Sequence, residues 1–283
     1  MRTYAVTGSA SGMGRAVTEK LMAAGHSVIG VDRKDADVIA DLSTPAGRCA
    51  AADAVLERCG GVLDGAVLAA GLGPIPGRQR LIAQVNYFGV VELLTALRPA
   101  LARGDNAKVV VVASNSTTTT PLVPRRAVRA FAAGDADKAL RAVRLFGKHS
   151  AAMIYAASKI AVARWVRRQA VTGAWAGAGI RLNAIAPGAV MTPLLAEQLA
   201  DPTEAKAIKA FPVPVGDYGD PGHLADWMLF MLSDSADFLC GSVIFVDGGS
   251  DAYFRPDSWP AALPVRSLPR YALRFLSHAR SRR

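Results

Sequence analysis

Short apolar runs alternate with longer stretches of mixed apolar and polar residues along nearly the whole chain. The runs predict strands at residues 4–6, 27–31, 65–71, 108–113, 179–186 and 242–246, with a further strand end at 40–43. The four valines Val109–Val112 show no polar alternation, which is typical of a parallel strand covered on both faces. The pattern therefore predicts one α/β domain of the Rossmann type, built on a doubly wound parallel sheet.

The stretches between the runs predict helices at residues 15–24, 45–59, 78–101, 150 to about 176, and 221–233. Residues 115–121 are polar and predict a loop. A basic, helix-like segment looks inserted at about residues 121–149. The apolar, proline-broken stretch 189–215 predicts either a mobile lid over an apolar substrate or a core helix.

Composition narrows the class of protein. The 283 residues are 51% hydrophobic, enough for one large core. No apolar run reaches about 18 residues and nothing resembles a signal peptide, so we expect no transmembrane segment and a cytoplasmic location. Cys49, Cys59 and Cys240 are scattered and the four histidines are too, so we expect neither a disulfide framework nor a metal site.

The net charge of +10 is unevenly distributed. Residues 251–283 form a basic C-terminal extension with seven arginines and two aspartates, half of the excess. The rest of the chain shows no nucleic-acid-binding motif and no interleaving of aromatic and basic residues, so we expect no nucleic-acid partner. The extension is either a packed or disordered tail or a segment that lies on an anionic membrane surface. The apolar residues that favour the membrane alternative are Leu268, Tyr271, Leu273, Phe275 and Leu276.

The first predicted strand runs into a glycine-rich turn at residues 7–14, followed by a helix. Such a turn lets backbone approach a pyrophosphate at a helix N-terminus, although three glycines alone are a weak signal. Asp32 ends the second predicted strand 18 residues after Gly14, where a carboxylate binds ribose hydroxyls and repels a 2′-phosphate. We therefore expect NAD. Arg33, which could pair with that phosphate, favours the alternative, NADP.

Other candidates lie at the carboxyl ends of predicted strands, where doubly wound sheets bind ligands. Ser114 ends the valine strand. Tyr155 and Lys159 are four residues apart, so they share a helical face, and the ammonium would favour the ionised phenol. Asn86 lies inside a predicted helix, where an asparagine is usually solvent-facing. Asp41 either faces the adenine of a cofactor or caps the following helix.

In combination, these motifs resemble the short-chain dehydrogenase/reductase family over about residues 1–250. The resemblance rests on the glycine turn, Asn86, Ser114, the Tyr155 and Lys159 pair, Pro187-Gly188 with Thr192, and Asp247-Gly248-Gly249. Within the family the chain looks most like the bacterial 3α-hydroxysteroid dehydrogenase/carbonyl reductase group. The stretches similar to that group are Asp41–Thr44, Ala70–Pro74, Val85–Gly89 and Arg181–Ala189.

The resemblance implies an NAD(H)-dependent oxidoreductase that interconverts a secondary alcohol and a ketone on an apolar, cyclic substrate such as a 3α-hydroxysteroid. The alternatives are the same chemistry on a non-steroid, such as a terpenoid, an alicyclic compound, an aromatic ketone or a quinone, and a non-catalytic nucleotide-sensing protein. The implied catalytic residues are Asn86, Ser114, Tyr155 and Lys159. Tyr155 would exchange the proton, Ser114 would hold the substrate oxygen, and Asn86 would distort its helix and fix a water that links Lys159 to solvent.

The resemblance also implies a set of cofactor-binding residues, with Thr192 hydrogen-bonding the nicotinamide carboxamide. The full set is Gly8, Ser11, Gly12, Met13, Gly14, Asp32, Arg33, Asp41, Leu42, Ala70, Gly71, Tyr155, Lys159, Pro187, Gly188, Val190 and Thr192. A homodimer or homotetramer is implied, but the insertion would cover the helix face through which most members dimerise. Two features depart from the usual pattern of the family. Leu68–Gly71 stands where most members have Asn-Asn-Ala-Gly. Ser114 and Tyr155 lie 41 residues apart, which is farther than in most members.

Overall fold

The structure is a computed structural model that describes residues 1–259, 262 and 264–281. Within these residues, seven parallel strands form one sheet in the order β3-β2-β1-β4-β5-β6-β7. They are β1 (Thr3–Thr7), β2 (Ser27–Asp32), β3 (Val38–Ile39), β4 (Gly65–Leu68), β5 (Lys108–Val112), β6 (Arg181–Pro187) and β7 (Val243–Val246). The strand order reverses between β1 and β4, which places a ligand crevice at the carboxyl ends of those two strands.

Helices cover both faces of the sheet and confirm the doubly wound prediction. They are α1 (Gly12–Ala23), α2 (Pro45–Arg58), α3 (Gln79–Ala83), α4 (Gly89–Leu101), α5 (Ser116–Thr119), α6 (Arg125–Ala132), α7 (Ala136–Val143), α8 (Ser150–Gln169), α9 (Pro193–Ala200), α10 (Pro202–Lys209), α11 (Pro221–Leu232), α12 (Ser250–Phe254) and α13 (Leu268–Ser281). Short 3₁₀ helices lie at Arg144–His149, Ala176–Ala178, Asp234–Ala236, Pro256–Ser258 and Val265–Ser267. A π-helical segment, Gln84–Phe88, joins α3 to α4.

The core lies in two layers, one on each face of the sheet. Val109 and Val111 pack into the layer that includes α2, α4 and α8, whereas Val110 and Val112 pack into the layer that includes α1 and α11. All five residues of β5 are buried, Lys108 included. The valine run therefore fills both layers, as its lack of polar alternation predicts.

Several predicted boundaries were wrong for local reasons. The long helix ends at Gln169 rather than near 176, where the Thr172 hydroxyl donates to the Gln169 carbonyl (2.8 Å) and Gly173 follows. Residues 115–121 contain the short helix α5 rather than only a loop, because threonine hydroxyls there donate to the carbonyls of Ser114 and Asn115. The strand end placed at 40–43 is instead β3, two residues earlier.

The insertion, the 189–215 stretch and the extension each form helices in the described chain. The insertion forms α6 and α7, which pack on α8, and residues 193–209 form α9 and α10. In the extension, α12 contacts α5, while Leu268, Tyr271 and Leu273 of α13 are exposed. The side chains of Phe275 and Leu276 lie outside the described part. No helix in the described chain is long and apolar enough to cross a membrane.

Candidate active site

The glycine turn between β1 and α1 forms one wall of the crevice. Gly8 has a φ of +72°, and a Cβ there would lie 2.8 Å from the Ala70 nitrogen at the end of β4. A Cβ on Gly14 would overlap the Gly8 carbonyl. Both positions therefore require glycine. The turn that results is compact, so a pyrophosphate can approach its backbone and the N-terminal amides of α1. This arrangement fits a dinucleotide.

The charged residues expected near the adenosine part of a cofactor lie at the carboxyl ends of β2 and β3. The Asp32 carboxylate accepts hydrogen bonds from the backbone nitrogens of Ala10 (3.1 Å) and Arg33 (2.7 Å), which fixes it against the turn. Asp41 accepts from the Ser43 nitrogen at 2.9 Å, and this bond, with the nearby Arg33, lowers the pKa of Asp41. One alternative for Asp41 is wrong: Thr44, not Asp41, caps α2.

Two adjoining cavities form a continuous cleft along this edge, of about 240 Å³ and about 200 Å³. Every predicted cofactor-binding residue lines one cavity or the other, and Met13, Gly71 and Thr192 line both. Because the two cavities share these residues, a single elongated ligand can span them. The cleft therefore brings together all the cofactor-binding residues that the resemblance implies.

Sequence reasoning missed several lining residues. Leu81 and Val85 line the first cavity, and Leu194 and Gln198 of α9 line the second. Each pair is four residues apart, so the helical spacing was a signal that could have placed both members on one face. On sequence alone, however, nothing distinguishes that face from one buried in the core.

The second cavity holds a reactive cluster of Ser114, Tyr155 and Lys159, with Ser114 just after β5 and the other two on α8. The Lys159 Nζ donates to the Val112 carbonyl (2.8 Å) and lies 6.0 Å from the centroid of the Tyr155 ring. The Ser114 Oγ accepts from the Ser116 nitrogen (3.1 Å), so its own proton remains to be donated. The Tyr155 phenol forms a hydrogen bond with Ser114. The cluster can thus hold an oxygen atom and exchange its proton.

Asn86 lies behind this cluster rather than in the cavity lining. It is fully buried within the π-helical segment, where its amide oxygen accepts from the Leu72 nitrogen (2.8 Å) and its amide nitrogen donates to the Leu72 carbonyl (2.9 Å). A mid-helix asparagine is usually solvent-facing or a poor helix former, whereas Asn86 is buried at a point where the helix is distorted. A π-turn widens the helix and turns one side chain toward the neighbouring loop, a distortion common at functional sites.

Burial determines how the cluster titrates in the chain by itself. It raises the pKa of Tyr155, an effect that the hydrogen bond with Ser114 partly offsets. Burial also lowers the pKa of Lys159 to about 8. Both shifts favour the neutral side chains. In the chain by itself, desolvation is therefore the larger effect on the pKa of the phenol, and the prediction that the Lys159 ammonium favours the ionised phenol stays a prediction.

The lowered pKa of Lys159 predicts a pH-dependent stability. The ordinary value is 10.5, so between about pH 8 and pH 10 the unfolded chain binds more protons than the folded one. The free energy of unfolding should then rise with pH across this window, by on the order of 2 kcal/mol. Urea denaturation at a series of pH values should show this rise for the native chain and not for Lys159→Met. Equal slopes for the two proteins would contradict it.

Two family models match most of the chain. Residues 2–125 match the model described as short chain dehydrogenase, and residues 139–251 match the one described as enoyl-(acyl carrier protein) reductase. The unmatched residues between them lie in the insertion. Neither match extends beyond residue 251, where the C-terminal extension begins.

Individual proteins are similar over nearly their whole length. The 3-alpha-hydroxysteroid dehydrogenase/carbonyl reductase of Comamonas testosteroni is 41% identical over 90% of this chain and 99% of its own. The crystal structure of the 3-alpha-hydroxysteroid dehydrogenase from Pseudomonas sp. B-0831 complexed with NADH is 46% identical, with a TM-score of 0.85, over 91% of this chain and 100% of that one. Galactitol 2-dehydrogenase of Cereibacter sphaeroides is 28% identical over 87% and 93%.

Proposed function

The chain belongs to the short-chain dehydrogenase/reductase family, and from this premise we propose that it interconverts a secondary alcohol and a ketone with NAD(H). The proposed substrate is apolar and cyclic, such as a 3α-hydroxysteroid or the matching 3-ketosteroid. One observation carries the proposal: Ser114, Tyr155 and Lys159 line a cavity that is continuous with the dinucleotide cleft. The similarity to a 3-alpha-hydroxysteroid dehydrogenase crystallised with NADH supports the choice of cofactor and substrate.

The proposed cofactor-binding residues divide along the cleft. The glycine turn and the N-terminus of α1 hold the pyrophosphate, Asp32 binds the ribose, and Leu42 and Ala70 contact the adenosine end. At the other end, the Thr192 hydroxyl accepts from the Leu195 nitrogen (3.3 Å) as the cap of α9. Its proton is then available for the carboxamide of the nicotinamide. NAD, when bound, supplies the hydride acceptor.

The chain's own residues handle the oxygen and its proton. Ser114 donates a hydrogen bond to the substrate oxygen and stabilises the charge that develops there. Tyr155 takes the proton of the alcohol in oxidation and returns it in reduction. Lys159 is held by the Val112 carbonyl. When Lys159 is protonated, its positive charge favours the ionised phenol. Asn86 fixes the loop at Leu72 and the water position that connects Lys159 to solvent.

The lining of the second cavity supports an apolar substrate. Leu72 and Pro74 from the loop after β4 face Leu194 and Leu195 of α9, and Gln198 is a polar member of the same wall. We therefore place the hydrocarbon body of the substrate between this loop and α9, which acts as a lid. A substrate with a second polar group can reach Gln198.

A substrate panel tests the proposal. NADH formation at pH 8 to 9 should be observed with 3α-hydroxysteroids and should be stronger than with cyclic terpenols or simple alicyclic alcohols. Activity confined to the smaller alcohols would retain the mechanism and overturn the steroid assignment. No activity across the panel, with NADP as well as NAD, would overturn the enzymatic proposal and favour a nucleotide-sensing role.

We also propose that the protein is a homodimer or homotetramer in the cytoplasm. Within the described residues, strand β7 is an open edge of the sheet. Helix α11, which packs on α1, β5 and β6, exposes Trp227 and Phe230, which are in ring contact with each other. An unpaired strand edge and exposed aromatic residues both favour self-association. Light scattering that reports a mass of 29.6 kDa at micromolar concentration would contradict the oligomer.

A further inference from the structure

Arg48 is one of three cationic side chains that are buried in the part of the chain that the structure describes. Of the other two, Lys159 belongs to the reactive cluster. Lys108, at the start of β5, forms ion pairs with Asp234 and Asp237. Arg48 lies on α2, is 4% exposed and lines neither cavity of the cleft. Because a buried charge is costly unless it is paired and hydrogen-bonded, the groups that hold Arg48 indicate what it does.

The guanidinium group of Arg48 joins three segments of the chain. Its Nε donates to a carboxylate oxygen of Glu92 on α4 (2.6 Å). Its Nη1 donates both to the Leu42 carbonyl (3.1 Å) and to the side-chain oxygen of Gln84 (3.2 Å). The Phe88 ring lies beside the group, with its centroid 6.0 Å from the Arg48 Cζ. A single nitrogen thus holds together the loop after β3 and the π-helical segment, while the carboxylate of α4 balances the charge.

The two segments that Arg48 joins are walls of the first cavity of the cleft. Leu42 lines this cavity from the loop after β3, and Leu81 and Val85 line it from α3 and the π-helical segment. The walls approach each other closely at Gly89, where a Cβ would lie 3.4 Å from the Leu42 carbonyl oxygen and 3.5 Å from the Gln84 carbonyl oxygen. The hydrogen bonds of the arginine therefore connect the two walls from outside the cavity.

We propose that Arg48 is a positioning residue for the adenosine end of the cofactor, because it fixes the spacing of the two walls between which the adenosine lies. The inference rests on the proposed binding of NAD(H) in the cleft. Hydrogen bonds from a charged donor are stronger than those between neutral groups, so two of them hold the walls firmly. The planar guanidinium presents several donors in a fixed arrangement, whereas lysine presents one nitrogen on a flexible stem. Lysine at this position can keep the charge without reproducing the set of hydrogen bonds.

The test measures the binding of three ligands to the full chain. NADH and ADP-ribose contain the adenosine, whereas reduced nicotinamide mononucleotide contains only the nicotinamide half. Fluorescence titration gives the affinity of the two reduced nicotinamide compounds, and calorimetry gives that of ADP-ribose.

The variants are Arg48→Met, Arg48→Lys and Gln84→Met. The last of these removes one acceptor and leaves the buried arginine in place, so it serves if Arg48→Met does not fold. The matched control is Arg58→Met, which makes the same change at an exposed arginine of the same helix.

We expect Arg48→Met to weaken NADH and ADP-ribose by about tenfold or more and the mononucleotide by less than about threefold. Arg48→Lys and Gln84→Met should show the same selective loss to a smaller extent, and Arg58→Met should bind all three ligands as the native chain does. A merely structural role would lower the three affinities together.

An equal loss for the mononucleotide would therefore overturn the proposal, as would native affinities for NADH and ADP-ribose in Gln84→Met and in the Arg48 variants. Absence of NADH binding by the native chain would overturn both this inference and the proposed cofactor. A selective loss of the adenosine ligands in a chain without turnover on the substrate panel would overturn the proposed reaction and support the role of Arg48.

Discussion

Replacing Tyr155 with phenylalanine is expected to lower kcat by about 10³-fold, with NADH affinity within about threefold of that of the native enzyme. The phenol is the group of the reactive cluster that can exchange a proton with the substrate oxygen, and it forms a hydrogen bond with Ser114 in the same cavity. Phenylalanine keeps the ring but removes the proton carrier. Most of the proposed cofactor-binding residues lie elsewhere in the cleft, so binding should survive.

Two measurements check this result. Steady-state NADH formation gives kcat and KM, and the fluorescence of bound NADH gives the affinity. Tyr253→Phe is the matched control, because it makes the same chemical change at an exposed tyrosine of α12 that lines neither cavity. Substantial turnover by Tyr155→Phe would rule out Tyr155 as the proton carrier. A loss of NADH affinity as large as the loss of kcat would instead assign Tyr155 a binding role.

Two opposing effects act on the ionisation of the Tyr155 phenol. Burial raises the pKa of Tyr155 and lowers the pKa of Lys159, so the folded chain by itself disfavours the ionised phenol. The oxidised nicotinamide brings a positive charge, which favours the phenolate when the cofactor is bound. The local environment and the cofactor therefore act in opposite directions on one proton. A spacing of four residues in the sequence cannot reveal that balance.

Features whose cause is local were predictable from the sequence. The four valines of β5 read as a strand covered on both faces because each lies in one of the two core layers. The glycine turn was predictable because Gly8 and Gly14 occupy positions where a Cβ has no room. In such cases the residue type is required by backbone geometry or by burial on both faces, so the sequence alone indicates the structure.

Features whose cause is tertiary were not predictable in this way. Asn86 is fully buried only because the π-helical segment turns it toward Leu72, a residue 14 positions earlier. The reactive cluster depends on the end of β5 and helix α8 meeting in space. Each of these depends on contacts that periodicity does not encode.

Replacing Asp32 with alanine is expected to weaken NAD binding by about 10- to 100-fold and to leave NADP binding unchanged or improved. The carboxylate lines the cleft at the carboxyl end of β2, where it would bind the ribose hydroxyls and repel a 2′-phosphate. Arg33 lines the same cavity. Once the carboxylate is removed, the charge of Arg33 should favour the phosphate of NADP.

The hydrogen bonds of Asp32 require a second variant to interpret this result. Its carboxylate accepts from the Ala10 nitrogen (3.1 Å), so alanine also removes a support of the glycine turn, and that loss weakens both cofactors. Asp32→Asn keeps an acceptor for Ala10 but removes the charge. If charge sets the preference, both variants shift the ratio of NAD to NADP affinity in the same direction, and asparagine loses less of the total affinity. Tighter binding of NADPH than NADH by the native enzyme would show that Arg33, rather than Asp32, determines the cofactor.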